Sequence, residues 1–275
     1  MTFNELVARL RAAGIDNCRG EAAIIAEDLC GAAPSRIMAD GECELPDAAK
    51  DALCRREAGE PLQYIVGKWH FMNEVYEVTP SVLIPRADTE CLVEWAIKNI
   101  PAGGRFADLG TGSGCVAVST LAARSDLSCV AVDKYPDALD VARRNAALNG
   151  VSDRAEFLLC DILTDEAPGG AFDCILSNPP YVTRDEYSSL ERELYFEPRH
   201  ALTDGADGLT FYERILDVYP ERLTEDGVIA LEIGASRASS VMHVAASRSM
   251  SCEILKDLGG RDRVALCKKM IRSIL

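Results

Sequence analysis

The sequence predicts an α/β protein: a mostly parallel sheet with helices on both faces and an antiparallel last strand, preceded by a small helical unit and a β-hairpin linker. Three observations carry this expectation. From about residue 81 onward, short apolar runs alternate with stretches of helical periodicity, the pattern of a parallel sheet. Only Asp257 to Asp262 separate the last two apolar runs, too short a link for a helical crossover, so those two strands pair antiparallel. Residues 2 to about 60, by contrast, carry helical spacing alone.

In chain order, Thr2 and Glu5 have capping-box spacing, and Leu6, Leu10 and Ala13 recur at helical intervals until Gly14. An Ala- and Ile-rich stretch from Glu21 to Cys30 stops at Gly31. A third helix starts at Pro46, carries Ala49, Leu53 and Arg56, and ends at Gly59. Between Glu60 and Pro85, turn residues and alternation around Gly67–Phe71 and Val75–Pro80 predict a hairpin. The expected division is therefore residues 1–80, a helical bundle with its hairpin linker that reads equally as a stability cap or as a docking surface for a macromolecular substrate, and residues 81–275, the α/β domain. In the latter, strands are expected at Arg105–Leu109, Cys129–Val132, Ala155–Leu159, Phe172–Ser177, Val228–Ile233, Cys252–Lys256 and Val264–Lys268. Helices are expected through Leu92–Ile97 and after Gly114, Pro136, Thr210 and Ala235.

Composition narrows the class. With 48% of its 275 residues apolar, the chain can build a sizeable core. No run approaches the roughly 20 apolar residues of a membrane span, and Met1–Glu5 does not read as an export leader, so a cytoplasmic protein is expected. The 11 cysteines are scattered without a C-x-x-C pair, and His70, His200 and His243 are isolated; reduced thiols and no metal site follow. A formal charge of −15 disfavours broad contact with a phosphate backbone and tilts the expectation to a protein or small-molecule substrate.

The chemistry concentrates at strand ends. Cys174-Ile175-Leu176-Ser177 is a buried-strand run ended by Asn178-Pro179-Pro180-Tyr181, because proline offers no N–H to a ladder and restricts its predecessor. Asn178 is thus held in a rigid turn at the carboxyl edge of the sheet, where open α/β folds bind ligands. Its side-chain oxygen, the free carbonyls of Pro179 and Pro180, and the flat face of Tyr181 suit a planar amino group. A plain proline-terminated turn is the simpler alternative. Upstream, Asp108-Leu109-Gly110-Thr111-Gly112-Ser113-Gly114 links the first strand to a helix. Its glycines run G-x-G-x-G, with Cys115 in place of the third glycine of a dinucleotide loop, which disfavours NAD. Asp133 ends the next strand and can accept both hydroxyls of a ribose; Asp161, after the third, can meet an adenine amine. Singly these are tight turns and helix caps, but in succession they describe an adenosine pocket.

Taken together, Ile84-Pro85-Arg86, Asp108–Gly114, Ser177–Tyr181, Glu197-Pro198-Arg199, Asp207-Gly208-Leu209, Glu232-Ile233-Gly234 and Gly260-Arg261-Asp262-Arg263 resemble the HemK/PrmC family of class I methyltransferases. The likeness covers essentially the whole chain. It implies a Rossmann-like methyltransferase fold and S-adenosyl-L-methionine as cofactor. It also implies methyl transfer to the side-chain nitrogen of the Gly-Gly-Gln glutamine in peptide chain release factors, modulating translation termination. By that resemblance Gly110, Thr111, Gly112, Ser113, Gly114, Asp133, Asp161, Ile162 and Asn178 hold the cofactor. Asn178, Pro179, Pro180 and Tyr181 hold the glutamine, with Asn178, Pro179 and Tyr181 as the catalytic set. Departures from the family pattern are His70, Ala87, Arg237 and Ile162, the last standing where relatives often carry an aromatic ring. Two alternatives stay open: an adenine-N6 methyltransferase of DNA or RNA, for which the charge is unsuited, and a catalytically silent adaptor of the translation machinery.

Overall fold

The computed structural model describes residues 1–33, 35 and 41–270, and the chain divides into two compact units: Met1–Lys68 with Glu191–Phe196, and Trp69–Leu190 with Glu197 onward.

The first unit is helical. Helix α1 (Phe3–Ala12) carries the capping box: Thr2 Oγ1 accepts the Glu5 amide at 3.2 Å, and the Glu5 carboxylate accepts the Thr2 amide at 2.8 Å. Its face of Phe3, Leu6, Val7 and Leu10 is buried, as the spacing requires. Helix α2 (Cys18–Asp28) begins and ends earlier than the Ala- and Ile-rich stretch suggests, and buries Ala22, Ile25 and Ala26. Helix α3 (Asp47–Glu57) follows Pro46 and buries Ala49, Ala52 and Leu53. A short helix α4 (Leu62–Val66), not anticipated, ends at Gly67 in the left-handed conformation. Arg56 is 5% exposed and pairs with both Glu21 and Glu193 at 2.7 Å, which is how the distant segment Glu191–Phe196 joins this unit.

From Trp69 onward the second unit takes in the hairpin β1 (Lys68–Phe71) and β2 (Glu74–Glu77). Expected to go with residues 1–80, the hairpin instead belongs by its bonds to the α/β unit. The buried Tyr76 hydroxyl lies 2.6 Å from Ser119 Oγ, and the Glu77 amide donates to Asn145 Oδ1 at 2.7 Å. Seven further strands form one sheet in the order β5-β4-β3-β6-β7-β9-β8. They are β3 (Arg105–Leu109), β4 (Ser128–Asp133), β5 (Ala155–Leu159), β6 (Phe172–Ser177), β7 (Leu223–Glu232), β8 (Met250–Lys256) and β9 (Asp262–Lys269). The first five are parallel; β9 runs antiparallel between β7 and β8. The antiparallel pairing of the last two strands is as expected from their short link. Strand β7 starts five residues before the expected Val228, because Leu223 already pairs with Phe172 ahead of a register shift.

Connecting helices are α5 (Glu90–Asn99), α6 (Cys115–Ala123), α7 (Pro136–Leu148), α8 (Thr210–Val218) and α9 (Ala238–Ser247). Sheet and helices enclose a core including Leu109, Val132, Phe172, Ile175, Tyr212, Ile229 and Leu231. Chain order reverses at β3, which lies between β4 and β6, so the crevice beyond their carboxyl ends is the topological switch point. Leu109, Asp133 and Ser177 end their strands there. Among the described residues, no helix is long and apolar enough to cross a membrane.

Candidate active site

The crevice is a cleft of about 260 Å³. On one side the chain leaves β3 through the glycine loop. Both the Gly110 and Thr111 amides donate to Val132 O at 2.9 Å, bending the loop across the end of β4. Gly110 and Gly112 have φ of 72° and 54°, and a Cβ at either would meet no atom closer than 3.7 Å. Their glycine requirement is therefore conformational, and it leaves bare backbone on the cleft wall. Gly114 differs. Also at positive φ, it precedes α6, and a Cβ there would press on Ala142 of α7 at 3.2 Å. Gly114 sets helix packing and is not among the residues lining the cleft, whereas Gly110, Thr111, Gly112 and Ser113 are. Asp108 fixes the loop from below, accepting Thr111 Oγ1 at 2.7 Å and the Ala117 amide at 3.2 Å; burial pushes its pKa up to about 7 against those bonds.

Asp133 faces the loop. Its Oδ2 accepts the Gly112 amide at 2.9 Å and its Oδ1 the Tyr135 amide at 3.0 Å, leaving each oxygen lone-pair capacity for a hydroxyl. Burial raises its pKa despite those amides. Beside it the rings of Tyr135 and His200 stack at 3.6 Å. Asp161 also lines the cleft, but its carboxylate is engaged: Oδ2 pairs with Lys134 at 2.8 Å and Oδ1 accepts the Leu163 amide at 3.0 Å. Ile162 completes that wall with apolar surface.

On the opposite side β6 delivers the Asn-Pro-Pro-Tyr turn. The Ser177 hydroxyl donates to Leu109 O at 2.7 Å, tying the ends of β6 and β3. Asn178 Nδ2 donates to Thr89 Oγ1 at 3.1 Å, which commits the amide's donor side and leaves Oδ1 as an acceptor. Asn178, Pro179 and Pro180 line the cleft. Tyr181 does not, and here the expectation of an open aromatic face meets a different placement. Its hydroxyl lies 3.4 Å from Glu232 Oε1, and a Cβ on Gly234 would touch its ring at 3.3 Å. Tyr181 is packed inward, which raises its pKa, and it anchors the turn instead of facing it. The backbone behind it is as tightly held: Gly208 approaches the Tyr181 carbonyl so closely that any Cβ there would collide with it.

Sequence reasoning missed several contributors. Thr89, the partner of Asn178, carries no motif signal of its own. Glu197, 4% exposed, accepts the Ile84 amide at 3.0 Å and forms an ion pair with Arg86. Asp204 gathers the amides of Ala206, Gly208 and Thr210 with bonds of 2.8–3.2 Å, shaping the loop under the turn. The available signal for Arg86 and Glu197 was the proline-containing segments Ile84-Pro85-Arg86 and Glu197-Pro198-Arg199.

Bare loop backbone, a buried acid with free lone pairs and the apolar wall at Ile162 fit an adenosyl group, while the amide oxygen across the cleft fits an amino group to be presented to it. On this sheet, that combination defines a class I S-adenosylmethionine-dependent methyltransferase. Comparison with known proteins agrees. The family described as methyltransferase small domain matches residues 87–229, and that described as PrmC N-terminal domain matches residues 2–67. The chain is 37% identical to the release factor glutamine methyltransferase of Nitratidesulfovibrio vulgaris, over 95% of this chain and 92% of the relative. It is 40% identical to that of Neisseria gonorrhoeae, over 86% and 88%. A methyltransferase structure from Pyrococcus furiosus, 18% identical, superposes with a TM-score of 0.53 over 71% of this chain and 89% of that one, a likeness of fold. The chain belongs to the release factor glutamine methyltransferase family.

Proposed function

We propose that this protein transfers the methyl group of S-adenosyl-L-methionine to the side-chain amide nitrogen of the glutamine in the Gly-Gly-Gln motif of peptide chain release factors, modulating translation termination in the cytoplasm. The observation that carries the reading is the bond from Asn178 Nδ2 to Thr89 Oγ1, which leaves Asn178 Oδ1 as an acceptor in the cleft that Pro179 and Pro180 also line. A carboxamide NH₂ placed there meets acceptors for both of its hydrogens.

The bound cofactor supplies an electrophilic methyl on a sulfonium. The chain's own groups do the rest. Gly110, Thr111, Gly112 and Ser113 present loop backbone to the cofactor, Asp133 takes the ribose hydroxyls, and Ile162 packs against the base. Asn178 Oδ1 and the carbonyls of Pro179 and Pro180 hold the glutamine nitrogen in line with the transferring methyl. An amide nitrogen is a weak nucleophile because its lone pair is delocalised. Acceptors on its N–H groups strengthen as those hydrogens become more acidic during attack, and one of those protons is released as the nitrogen takes the methyl and the sulfur departs as a neutral thioether. Well-oriented reactants gain roughly 7–11 kcal/mol from positioning, enough to make a site without a strong base productive. The helical unit of residues 1–68 is the grip for the protein substrate.

Because adenine would also fit two acceptors, the test is a competition. Intact release factor, a Gln-substituted release factor and unmodified double-stranded DNA are offered with labelled cofactor. Label entering only the intact factor supports the assignment; robust labelling of DNA, or equal labelling of the substituted factor, refutes it.

A further inference from the structure

Thr89 ends a 3₁₀ turn, Ala87–Thr89, that runs directly into α5, so its hydroxyl is not needed to cap that helix. It makes no cap bond and has helical dihedrals of −68° and −19°. Its hydroxyl is turned instead into the site, accepting from Asn178 Nδ2 at 3.1 Å, although Thr89 is only 1% exposed. A hydroxyl that has accepted still has one hydrogen to donate. The Glu232 carboxyl, at the carboxyl end of β7 and 1% exposed, is near enough for the Thr89 hydroxyl to lower its pKa. Glu232 Oε1 is approached by the Tyr181 hydroxyl at 3.4 Å, while its Oε2 has no hydrogen-bond partner among the described residues.

We infer that Glu232 is a positioning residue for methyl transfer: its carboxylate takes the Thr89 hydrogen, so that Thr89 can only accept from Asn178 and the Asn178 amide is locked with Oδ1 toward the acceptor nitrogen. The chain of polarity runs from carboxylate to hydroxyl to amide. An ionised Glu232 is an acceptor only, and so admits one direction. A protonated Glu232 can donate to Thr89, whose hydroxyl then donates to Asn178 Oδ1, and the amide turns its NH₂ toward the cleft, where it repels another NH₂. Tyr181 is held from the same carboxyl, so one buried group orients both ends of the Asn-Pro-Pro-Tyr turn.

Burial raises the Glu232 pKa to about 7, with Thr89, Arg263 and Tyr181 lowering it and Asp88 raising it. The other groups facing it are Cys91 and Cys115, both pushed up by burial, and Tyr212, whose hydroxyl donates to the Glu232 backbone carbonyl at 2.8 Å. The lock is therefore set above about pH 7 and released below it.

The inference rests on the acceptor role given to Asn178, and two measurements keep the two separable. In the cofactor-free protein, the Asn178 side-chain NH₂ resonance, identified by its loss in Asn178→Asp, should shift with pH through about 7 in wild type and stay fixed in Glu232→Gln. This readout needs no substrate. In release-factor methylation, Thr89→Val should lower kcat by about tenfold or more with cofactor affinity little changed, and Thr89→Ser should restore it. The ratio of wild-type to Glu232→Gln kcat should rise with pH through about 7. A pH-invariant Asn178 resonance, or wild-type kcat in Thr89→Val, overturns the lock. Failure of wild-type protein to methylate release factor, with the resonance behaving as expected, overturns the substrate assignment alone.

Discussion

Asp133 Oδ2 accepts the Gly112 amide at 2.9 Å, so the end of β4 and the glycine loop are one hydrogen-bonded piece. Removing the carboxylate takes away the ribose acceptor and loosens the loop that faces it. Loss of a hydrogen bond to a charged group costs about 1.5–3 kcal/mol, so Asp133→Ala should weaken S-adenosylmethionine binding roughly 10- to 100-fold. Calorimetry on the folded variant checks this; unchanged affinity would remove Asp133 from the cofactor site.

Asn178→Ala deletes the acceptor at the reacting nitrogen and leaves Thr89 without its donor. Each lost bond in a dry site costs about 1–3 kcal/mol, and misplacement of the nucleophile multiplies the effect. Single-turnover methyl transfer should fall by well over tenfold. A rate equal to wild type would contradict the amide clamp.

Gly208 has a φ of 79° and abuts the Tyr181 carbonyl, whereas Gly150, with a φ of 69°, has open space around it. An alanine at either position meets left-handed strain of about 1–2 kcal/mol. Only at residue 208 does it also collide with backbone. Gly208→Ala should therefore lower Tm clearly more than Gly150→Ala, and should slow methyl transfer because the Asn-Pro-Pro-Tyr turn must shift. Equal Tm losses would show that the turn is not held by this contact.

Asp108 is buried with a pKa raised to about 7. A carboxyl with a raised folded-state pKa contributes stability that is fully present below its unfolded pKa, near 4, and is lost as pH rises through about 7. Asn mimics the protonated form at similar size and keeps an acceptor for Thr111. The Tm of Asp108→Asn relative to wild type should consequently increase between pH 5 and pH 8, each unit of pKa shift corresponding to about 1.4 kcal/mol. A difference that is flat or falls with pH would place the charge elsewhere.

The sheet could be read because its strands are apolar runs bounded by turn residues: β3, β5 and β6 match their expected limits, and the capping box at Thr2 and Glu5 forms as spaced. The start of β7 could not, since Thr224-Glu225-Asp226 is a polar stretch drawn into the strand by the pairing of Leu223 with Phe172. Local spacing also placed the glycine loop, Asp133 and the Asn-Pro-Pro turn at one edge. What it could not supply was contact between segments distant in sequence. Thr89 meets Asn178 across 89 positions and Tyr181 meets Glu232 across 51. The inward packing of Tyr181 and the Lys134 partner of Asp161 are of the same kind, set by neighbours that only the folded chain assembles.

The central claim is that the amide clamp at Asn178 presents a glutamine nitrogen to the cofactor, and locating the transferred methyl group tests it most directly. Release factor is incubated with the protein and S-adenosylmethionine, digested, and its peptides are fragmented by tandem mass spectrometry. A single methyl on the side-chain nitrogen of the Gly-Gly-Gln glutamine, absent when Asn178→Ala replaces wild type, is the predicted result. A methyl on any other residue, or an undiminished signal with the Asn178 variant, would contradict the account.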